Sequence, residues 1–174
     1  MKKTLIAVYS QTGQSMHIAH ILQKKISADI YEIIPDRKYN DNMWKAWDEA
    51  QDEIKNNTYP GLTNTIPDLS IYDTIIVGGL VWGMTLANPV ITFMRNVNLE
   101  GKTVSSFWTF YDHDEKYDHT MCDMSKGAHY ITGLPLPRFV TGNVKKLESV
   151  IDEWVQTITE NRIGGNDNAD KKIK

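Results

Sequence analysis

Short apolar runs alternate along this chain with segments in which apolar residues recur at helical spacing. Leu5–Tyr9 is apolar throughout, which predicts a strand buried on both faces. A polar loop follows, and Gln14–Ser27 then shows the spacing of a helix. Strands that alternate with helices form a parallel sheet covered on both faces. This alternation constrains the fold more than any other feature, and it predicts an α/β protein with a doubly wound, five-stranded parallel sheet.

The remaining elements are predicted by the same criteria. Further strands are predicted at Asp29–Ile34, Thr74–Gly79, Lys102–Phe110 and Ala128–Thr132. Further helices are predicted at Asn40–Asn57, from Asn88 and Pro89 onward, within Tyr111–Asp123, and from Gly142 and Asn143 onward. Right-handed crossovers leave few topologies for such a chain. The ligand of a doubly wound sheet binds at the carboxyl ends of its strands.

One domain is expected, because a chain of 174 residues has a typical single-domain length. We predict that it covers residues 1–162 and that residues 163–174, which contain Gly164-Gly165-Asn166, form a disordered tail. The helix at Asn40–Asn57 is predicted to pack through a stripe formed by Met43, Trp47, Ala50 and Ile54, with Trp44 off that stripe. The pattern does not indicate what this helix does.

Charge and cysteine content exclude several classes of protein. The net charge of −3 does not match the basic footprint of a nucleic-acid binder. No apolar run approaches the roughly 20 residues needed to cross a bilayer. Cys122 is the only cysteine, so an internal disulfide is excluded and a reducing compartment, the cytoplasm, is expected.

The loop after the first strand has the composition of an anion site. It contains Ser10, Gln11, Thr12, Gly13, Gln14 and Ser15 at the start of a helix. Hydroxyls, amides and the free N–H groups of a helix N-terminus favour a phosphate held by neutral donors. The loop lacks the lysine of a triphosphate loop and the three glycines of a dinucleotide fingerprint. Judged on its own, it is equally consistent with an ordinary turn that caps the helix.

The segment Tyr-Ser-Gln-Thr-Gly-Gln-Ser at 9–15 resembles the phosphate loop of the flavodoxins. Further segments resemble the same family: Tyr31–Pro35 with Tyr39, Tyr72–Gly78, Val81–Gly83, Asn88–Val90, and Gly101–Val104 with Phe107 and Thr109. The resemblance extends from about Lys3 to Val155. It implies a flavodoxin-like sheet with strand order 2-1-3-4-5 and FMN as the cofactor.

The resemblance also implies which residues contact the flavin. The second loop would be Leu80, Val81, Trp82 and Gly83, and the third would be Thr109, Phe110, Tyr111 and Asp112. Trp82 and Tyr111 are the candidates for stacking on the ring. Leu80 and Gly83 stand where the family usually has Pro and a second Trp, and the third loop lacks the family's glycines. We therefore expect the third loop to follow its own path.

Three functions remain open at this point. An FMN-binding electron-transfer protein is the leading prediction, with redox partner proteins or a small-molecule acceptor as its partners. The alternatives are an FMN-dependent NAD(P)H:acceptor oxidoreductase of quinone type and a flavin-free interaction module. A phosphoryl-accepting receiver is excluded, because Tyr9-Ser10 and Gly78-Gly79 stand where it needs acids. No catalytic residue, metal site or oligomeric state is indicated by the sequence.

Overall fold

Strands and helices alternate in the computed structural model, which describes residues 3–167. The strands are β1 (Thr4–Val8), β2 (Asp29–Glu32), β3 (Thr74–Trp82), β4 (Thr85–Leu86), β5 (Thr103–Phe110), β6 (His129–Tyr130) and β7 (Leu134–Pro137). The helices are α1 (Gln14–Ile26), α2 (Met43–Asn56), α3 (Asn88–Arg95), α4 (Tyr117–Met124), α5 (Arg138–Thr141) and α6 (Val144–Asp167). A 3-10 turn covers Leu69–Ile71.

The sheet has the strand order β2-β1-β3-β5-β6, with every neighbouring pair parallel. β7 continues beside β5 beyond β6 and is also parallel to it. Because β5 is the fourth strand position and β6 with β7 the fifth, the predicted order 2-1-3-4-5 is confirmed. β4 lies off this path and pairs antiparallel with the end of β3. That hairpin extends the third strand to Trp82, beyond its predicted end at Gly79.

The fifth strand predicted at Ala128–Thr132 is present but shorter, as β6, and β7 continues the same edge of the sheet. The carboxylate of Asp118 interrupts the strand: its Oδ1 accepts from the Tyr130 hydroxyl at 2.6 Å and from the Gly133 N–H at 3.0 Å. Pairing with β5 resumes only at Leu134. Pro135 and Pro137 donate no hydrogen bond to a ladder, which suits them to this edge position.

Two apolar layers cover the sheet. One face packs against α1 and α6, and the apolar stripe predicted for the last helix lies in this layer. Its members Leu147, Ile151, Trp154 and Ile158 are buried, and Val150 and Val155 pack beside them. The other face packs against α2, α3 and α4. α6 extends into the predicted tail as far as Asp167, and residues 168–174 of that tail lie outside the described residues.

The stripe predicted for α2 is wrong at its two ends, whereas Ala50 is buried and Trp47 packs against the core as predicted. Met43 is 50% exposed and Ile54 is 41% exposed. The buried residues of α2 are Ala46, Ala50 and Glu53. Two alanines let the helix approach the sheet closely, and polar partners from other elements satisfy the buried carboxylate. Trp44 is 71% exposed, in agreement with its predicted place off the stripe.

The segment that contains α2 begins just after β2, and hydrogen bonds join its two ends there. The Asp36 N–H donates to the Gly61 carbonyl at 3.0 Å, and the Thr63 N–H donates to the Ile34 carbonyl at 2.9 Å. These bonds pair the chain that enters α2 with the chain that leaves it. The segment that contains α2 is therefore part of the folded domain. None of the helices described within residues 3–167 has the length and apolar character required to span a membrane.

Candidate functional site at the carboxyl edge of the sheet

Ser15 connects the three loops that the sequence singles out. Its hydroxyl donates to the Gly79 carbonyl at 3.0 Å and lies 3.4 Å from the Thr109 hydroxyl. Ser15 lies in the first turn of the helix after the first loop, Gly79 precedes the second loop and Thr109 opens the third. All three residues are buried. The carboxyl ends of β1, β3 and β5 therefore meet at one place, where a doubly wound sheet binds its ligand.

The first loop presents an open backbone at the start of α1. Gly13 precedes the helix with a φ of 91°, and no side chain of the described residues caps the helix there. A Cβ built on Gly13 meets no described heavy atom within 4 Å. Thr12, Gly13 and Gln14 are exposed. Uncapped N–H groups beside an open glycine favour the anion site over the alternative of a turn that caps its own helix.

Two other residues of this loop have different environments. The Ser10 hydroxyl is buried and has no hydrogen-bond partner among the described residues. The Gln11 side chain donates to the Asn40 carbonyl at 2.9 Å, so it joins the loop to the chain that enters α2. Beside the open loop, the Ser10 hydroxyl is thus a donor without an acceptor in the described part of the chain. This arrangement fits a phosphate group.

The second loop is a tight hairpin. Leu80 and Val81 are partly buried in β3, and Gly83 and Met84 form a two-residue turn into β4. Both turn residues have positive φ, 58° at Gly83 and 69° at Met84, as the mirror-image type I′ turn requires. Because glycine adopts a positive φ without steric cost, Gly83 suits the first position of this turn.

Trp82 is enclosed by protein. It is 5% exposed, and the rings of Tyr39 and Tyr9 meet it edge-on at centroid distances of 4.8 and 5.9 Å. The buried Trp82 indole therefore stabilises the hairpin by packing against these two tyrosine rings. Contact between Trp82 and a ring ligand remains a prediction, and the Trp82 side chain would have to leave this packing to make it.

The aromatic side chain at the tip of the hairpin comes from α2. A Cβ on Gly83 would overlap the Trp47 ring, whose Cζ3 lies 2.6 Å from that position. Trp47 is partly buried and packs against the core. Sequence patterns do not reveal that Trp47 and Gly83 are in contact, because 36 positions separate the two residues and only the tertiary fold brings them together.

The third loop leads into α4 without the glycines of the family. Phe110 is partly buried, whereas Tyr111 and Asp112 are exposed. The Arg138 guanidinium lies 4.7 Å from the centre of the Tyr111 ring. The Lys116 N–H then donates to the Met84 carbonyl at 3.0 Å, which ties this loop to the second. Tyr111 is the one of the two predicted stacking residues that presents a ring to the surface.

A buried carboxylate lies behind the second loop. Glu53 is 3% exposed, and it accepts from the Tyr39 hydroxyl at 2.7 Å, from the Asn88 amide at 2.7 Å and from Arg37 at 2.9 Å. Burial first, and then the Glu53 carboxylate, raise the pKa of Tyr39 above its usual value. Burial and the same carboxylate also raise the pKa of Tyr9. Both hydroxyls therefore stay protonated, and Tyr39 acts as a donor to Glu53.

Comparisons with known proteins agree with this architecture. A family model described as Flavodoxin matches residues 3–157. A flavoprotein from Lactobacillus acidophilus NCFM, crystallised in complex with FMN, superposes with a TM-score of 0.69 at 26% identity, over 78% of this chain and 93% of that one.

Two further structures resemble the fold alone. A protein from Bacteroides eggerthii superposes with a TM-score of 0.75 at 20% identity, over 91% of this chain and 99% of that one. Oxidised Flavodoxin 2 from Bacillus cereus superposes with a TM-score of 0.59 at 18% identity, over 92% and 99%. No curated protein matches this sequence. Because the family model spans most of the chain and the sheet has the expected strand order, this protein belongs to the flavodoxin family.

Proposed function

We propose that this protein binds FMN at the carboxyl edge of its sheet and transfers electrons. The observation that carries this proposal is the Ser15 hydroxyl, which joins the three loops beside an open first loop. Membership of the flavodoxin family supports it. The FMN in the Lactobacillus acidophilus structure supports the choice of cofactor.

The first loop would hold the phosphate group. Ser10 and Thr12 offer hydroxyl donors, and the backbone N–H groups around Gly13 and Gln14 offer the partial positive charge of a helix start. Ser15 is buried and occupied, so it positions the loop. Gln11 is held by Asn40 and sets the distance between the loop and the chain that enters α2.

The flavin ring would lie between the second and third loops. By the resemblance to flavodoxins, Leu80, Val81, Trp82 and Gly83 would form one side of this space, and Thr109, Phe110, Tyr111 and Asp112 would form the other. FMN would supply one-electron or two-electron chemistry there. The chain itself would orient the ring and shield part of it from water.

The role of an electron carrier is favoured over that of an enzyme. Tyr111 is 63% exposed and Met84 is 39% exposed, so the rim of the site is open to a docking protein. The chain also lacks a nicotinamide-binding fingerprint. We further propose a cytoplasmic location, which the exposed, unpaired Cys122 supports.

The proposal is tested by adding FMN or riboflavin to the apoprotein and following flavin fluorescence. Tight binding of FMN, with weaker binding of riboflavin, is expected, because riboflavin lacks the phosphate. The double variant Ser10→Ala/Thr12→Val is expected to bind FMN at least tenfold more weakly and riboflavin unchanged. Thr159→Val, in α6 at the opposite end of the sheet, is the control. Failure of the wild-type protein to bind either flavin would overturn the proposal.

A separate assay distinguishes the carrier from the enzyme. The holoprotein is mixed with NADPH or NADH and a soluble quinone, and oxidation of the nicotinamide is followed. A carrier is expected to show no turnover until a reductase is added. Steady oxidation by the holoprotein without a reductase would assign the protein to the oxidoreductases instead.

A further inference from the structure

The helix α2 brings an aromatic side chain to the proposed flavin site. Trp47 lies against Gly83 so closely that any larger residue at position 83 would overlap its ring. Gly83 is at the tip of the second-loop hairpin, which borders the space proposed for the flavin ring. The ring of Trp47 is only partly buried, so the contact with Gly83 leaves some of its surface free.

Trp82, in contrast, has its surface occupied. Tyr9 and Tyr39 flank it, and only 5% of the residue is exposed. The hairpin therefore offers a ring ligand no free aromatic side chain of its own. Trp47 contacts the hairpin at Gly83 and keeps part of its surface exposed.

Two independent connections hold α2 in this position. At its start, the Asn40 carbonyl accepts from Gln11 of the first loop at 2.9 Å. In its last turns, Glu53 is bound by Arg37, Tyr39 and Asn88, and Asn88 begins α3 directly after the hairpin. The α2 segment is thus bonded to the first loop and to the start of α3, and the buried Glu53 carboxylate resists its displacement.

We propose that Trp47 is a cofactor-binding residue and that α2 serves as a wall of the flavin-ring site. This inference rests on the proposed function, since it assumes that the ring lies beside the second loop. Glu53 is a positioning residue in this arrangement, because it holds α2 without contacting the ring. Offset stacking and the apolar contact of an indole with a flat ring favour binding of the ring, whatever is attached to it.

The test compares the variants Trp47→Phe, Trp47→Leu and Trp44→Leu in titrations with FMN and with riboflavin. Phe and Leu are both smaller than Trp, but only Phe keeps an aromatic face. Trp44 is on the same helix and 71% exposed, so it controls for loss of a tryptophan from α2. Thermal unfolding of each apoprotein, followed by circular dichroism, shows which measurements are made on folded protein.

Trp47→Leu is expected to weaken FMN and riboflavin by the same factor, about tenfold or more, because the lost contact is with the ring they share. Trp47→Phe is expected to stay within about threefold of the wild type, and Trp44→Leu is expected to be unchanged. Wild-type affinity in Trp47→Leu would overturn the inference. So would a loss in Trp44→Leu equal to that in Trp47→Leu. If the wild-type protein binds no flavin, it is the proposed function that fails.

Discussion

Trp108 and Tyr117 stack with their ring centroids 4.6 Å apart, and the hydroxyl group at the end of the Tyr117 ring is buried without a hydrogen-bond partner among the described residues. Burial raises the pKa of Tyr117, so this hydroxyl stays protonated. A buried donor that gives up water and gains no acceptor lowers the stability of the fold. In this stack beneath the third loop, the Tyr117 ring therefore stabilises the fold, whereas the Tyr117 hydroxyl destabilises it.

Tyr117→Phe is expected to stabilise the protein by about 1 kcal/mol, because it removes the unpaired hydroxyl and keeps the ring. Urea unfolding followed by circular dichroism measures the change. Tyr130→Phe is the matched control. It is expected to destabilise the protein, because the Tyr130 hydroxyl donates to Asp118 at 2.6 Å and this hydrogen bond is lost. Destabilisation by Tyr117→Phe would show that its hydroxyl has an acceptor.

Gly83→Ala is expected to cost more than Gly101→Ala. Both glycines have positive φ, 58° and 71°, so each alanine should lose about 1–2 kcal/mol to backbone strain. A Cβ on Gly101 meets no described atom within 4 Å, whereas a Cβ on Gly83 overlaps Trp47. The overlap should add about 1–3 kcal/mol.

The same pair of substitutions can be made in the Trp47→Leu background. There the difference between Gly83→Ala and Gly101→Ala should shrink, because the larger ring is gone. The free energies of unfolding of these variants form a double-mutant cycle. Equal costs for the two alanines in the wild-type background would contradict close contact between Trp47 and Gly83.

Glu53→Ala is expected to destabilise the protein by about 1–3 kcal/mol, because it removes the acceptor shared by Arg37, Tyr39 and Asn88 and leaves the buried Tyr39 hydroxyl without one. Glu53→Gln should cost less, since its amide oxygen can still accept from Tyr39 and Asn88. Glu49→Gln is the control, because Glu49 pairs with the same Arg37 at 3.5 Å but is far less buried. Denaturant unfolding that ranks Glu49→Gln with Glu53→Ala would contradict a dominant role for Glu53.

Ser15→Ala is expected to lower the free energy of unfolding by about 1–2 kcal/mol and to weaken FMN binding as well. It removes the donor to the Gly79 carbonyl and the contact with Thr109, so the three loops lose their common partner. Ser149→Ala, which removes an exposed hydroxyl from α6, is the control. Unchanged flavin affinity in a destabilised Ser15→Ala protein would confine Ser15 to a structural role.

Alkaline pH is expected to destabilise the protein. Burial raises the folded-state pKa of Tyr9, Tyr39, Tyr117 and Tyr130 above the ordinary tyrosine value of 10.0. Above a pH of about 10 the unfolded chain therefore loses protons that the folded chain keeps, and stability falls as pH rises. Below that pH these groups are protonated in both states, and their contribution is constant.

Urea unfolding at several pH values above neutrality measures this slope. Each of the four tyrosines can contribute up to about 1.4 kcal/mol per pH unit. Tyr39→Phe should flatten the slope, because it removes one of the four groups. A slope identical in the wild type and in Tyr39→Phe would show that Tyr39 titrates alike in the folded and unfolded chains.

The sequence alone predicts those helices, strands and turns that are determined by residues close together in the chain. The apolar stripe of α6, the fully buried β1 and the Gly13 turn before α1 all follow from residues close together in the chain. The strand order required more, namely the resemblance to flavodoxins and the right-handed crossovers. The same resemblance indicated which loops form the site.

Contacts between distant residues decided the rest. The buried face of α2 contains Glu53 in place of Met43 and Ile54, because Arg37, Tyr39 and Asn88 converge on its carboxylate. Asp118 breaks the fifth strand in the same way, by accepting from Tyr130 and Gly133. No periodicity shows such pairings, since a buried charge is stable only where the fold supplies its partners. Trp47, which contacts the second loop, likewise comes from a distant part of the chain. It belongs to a helix whose role the sequence did not indicate.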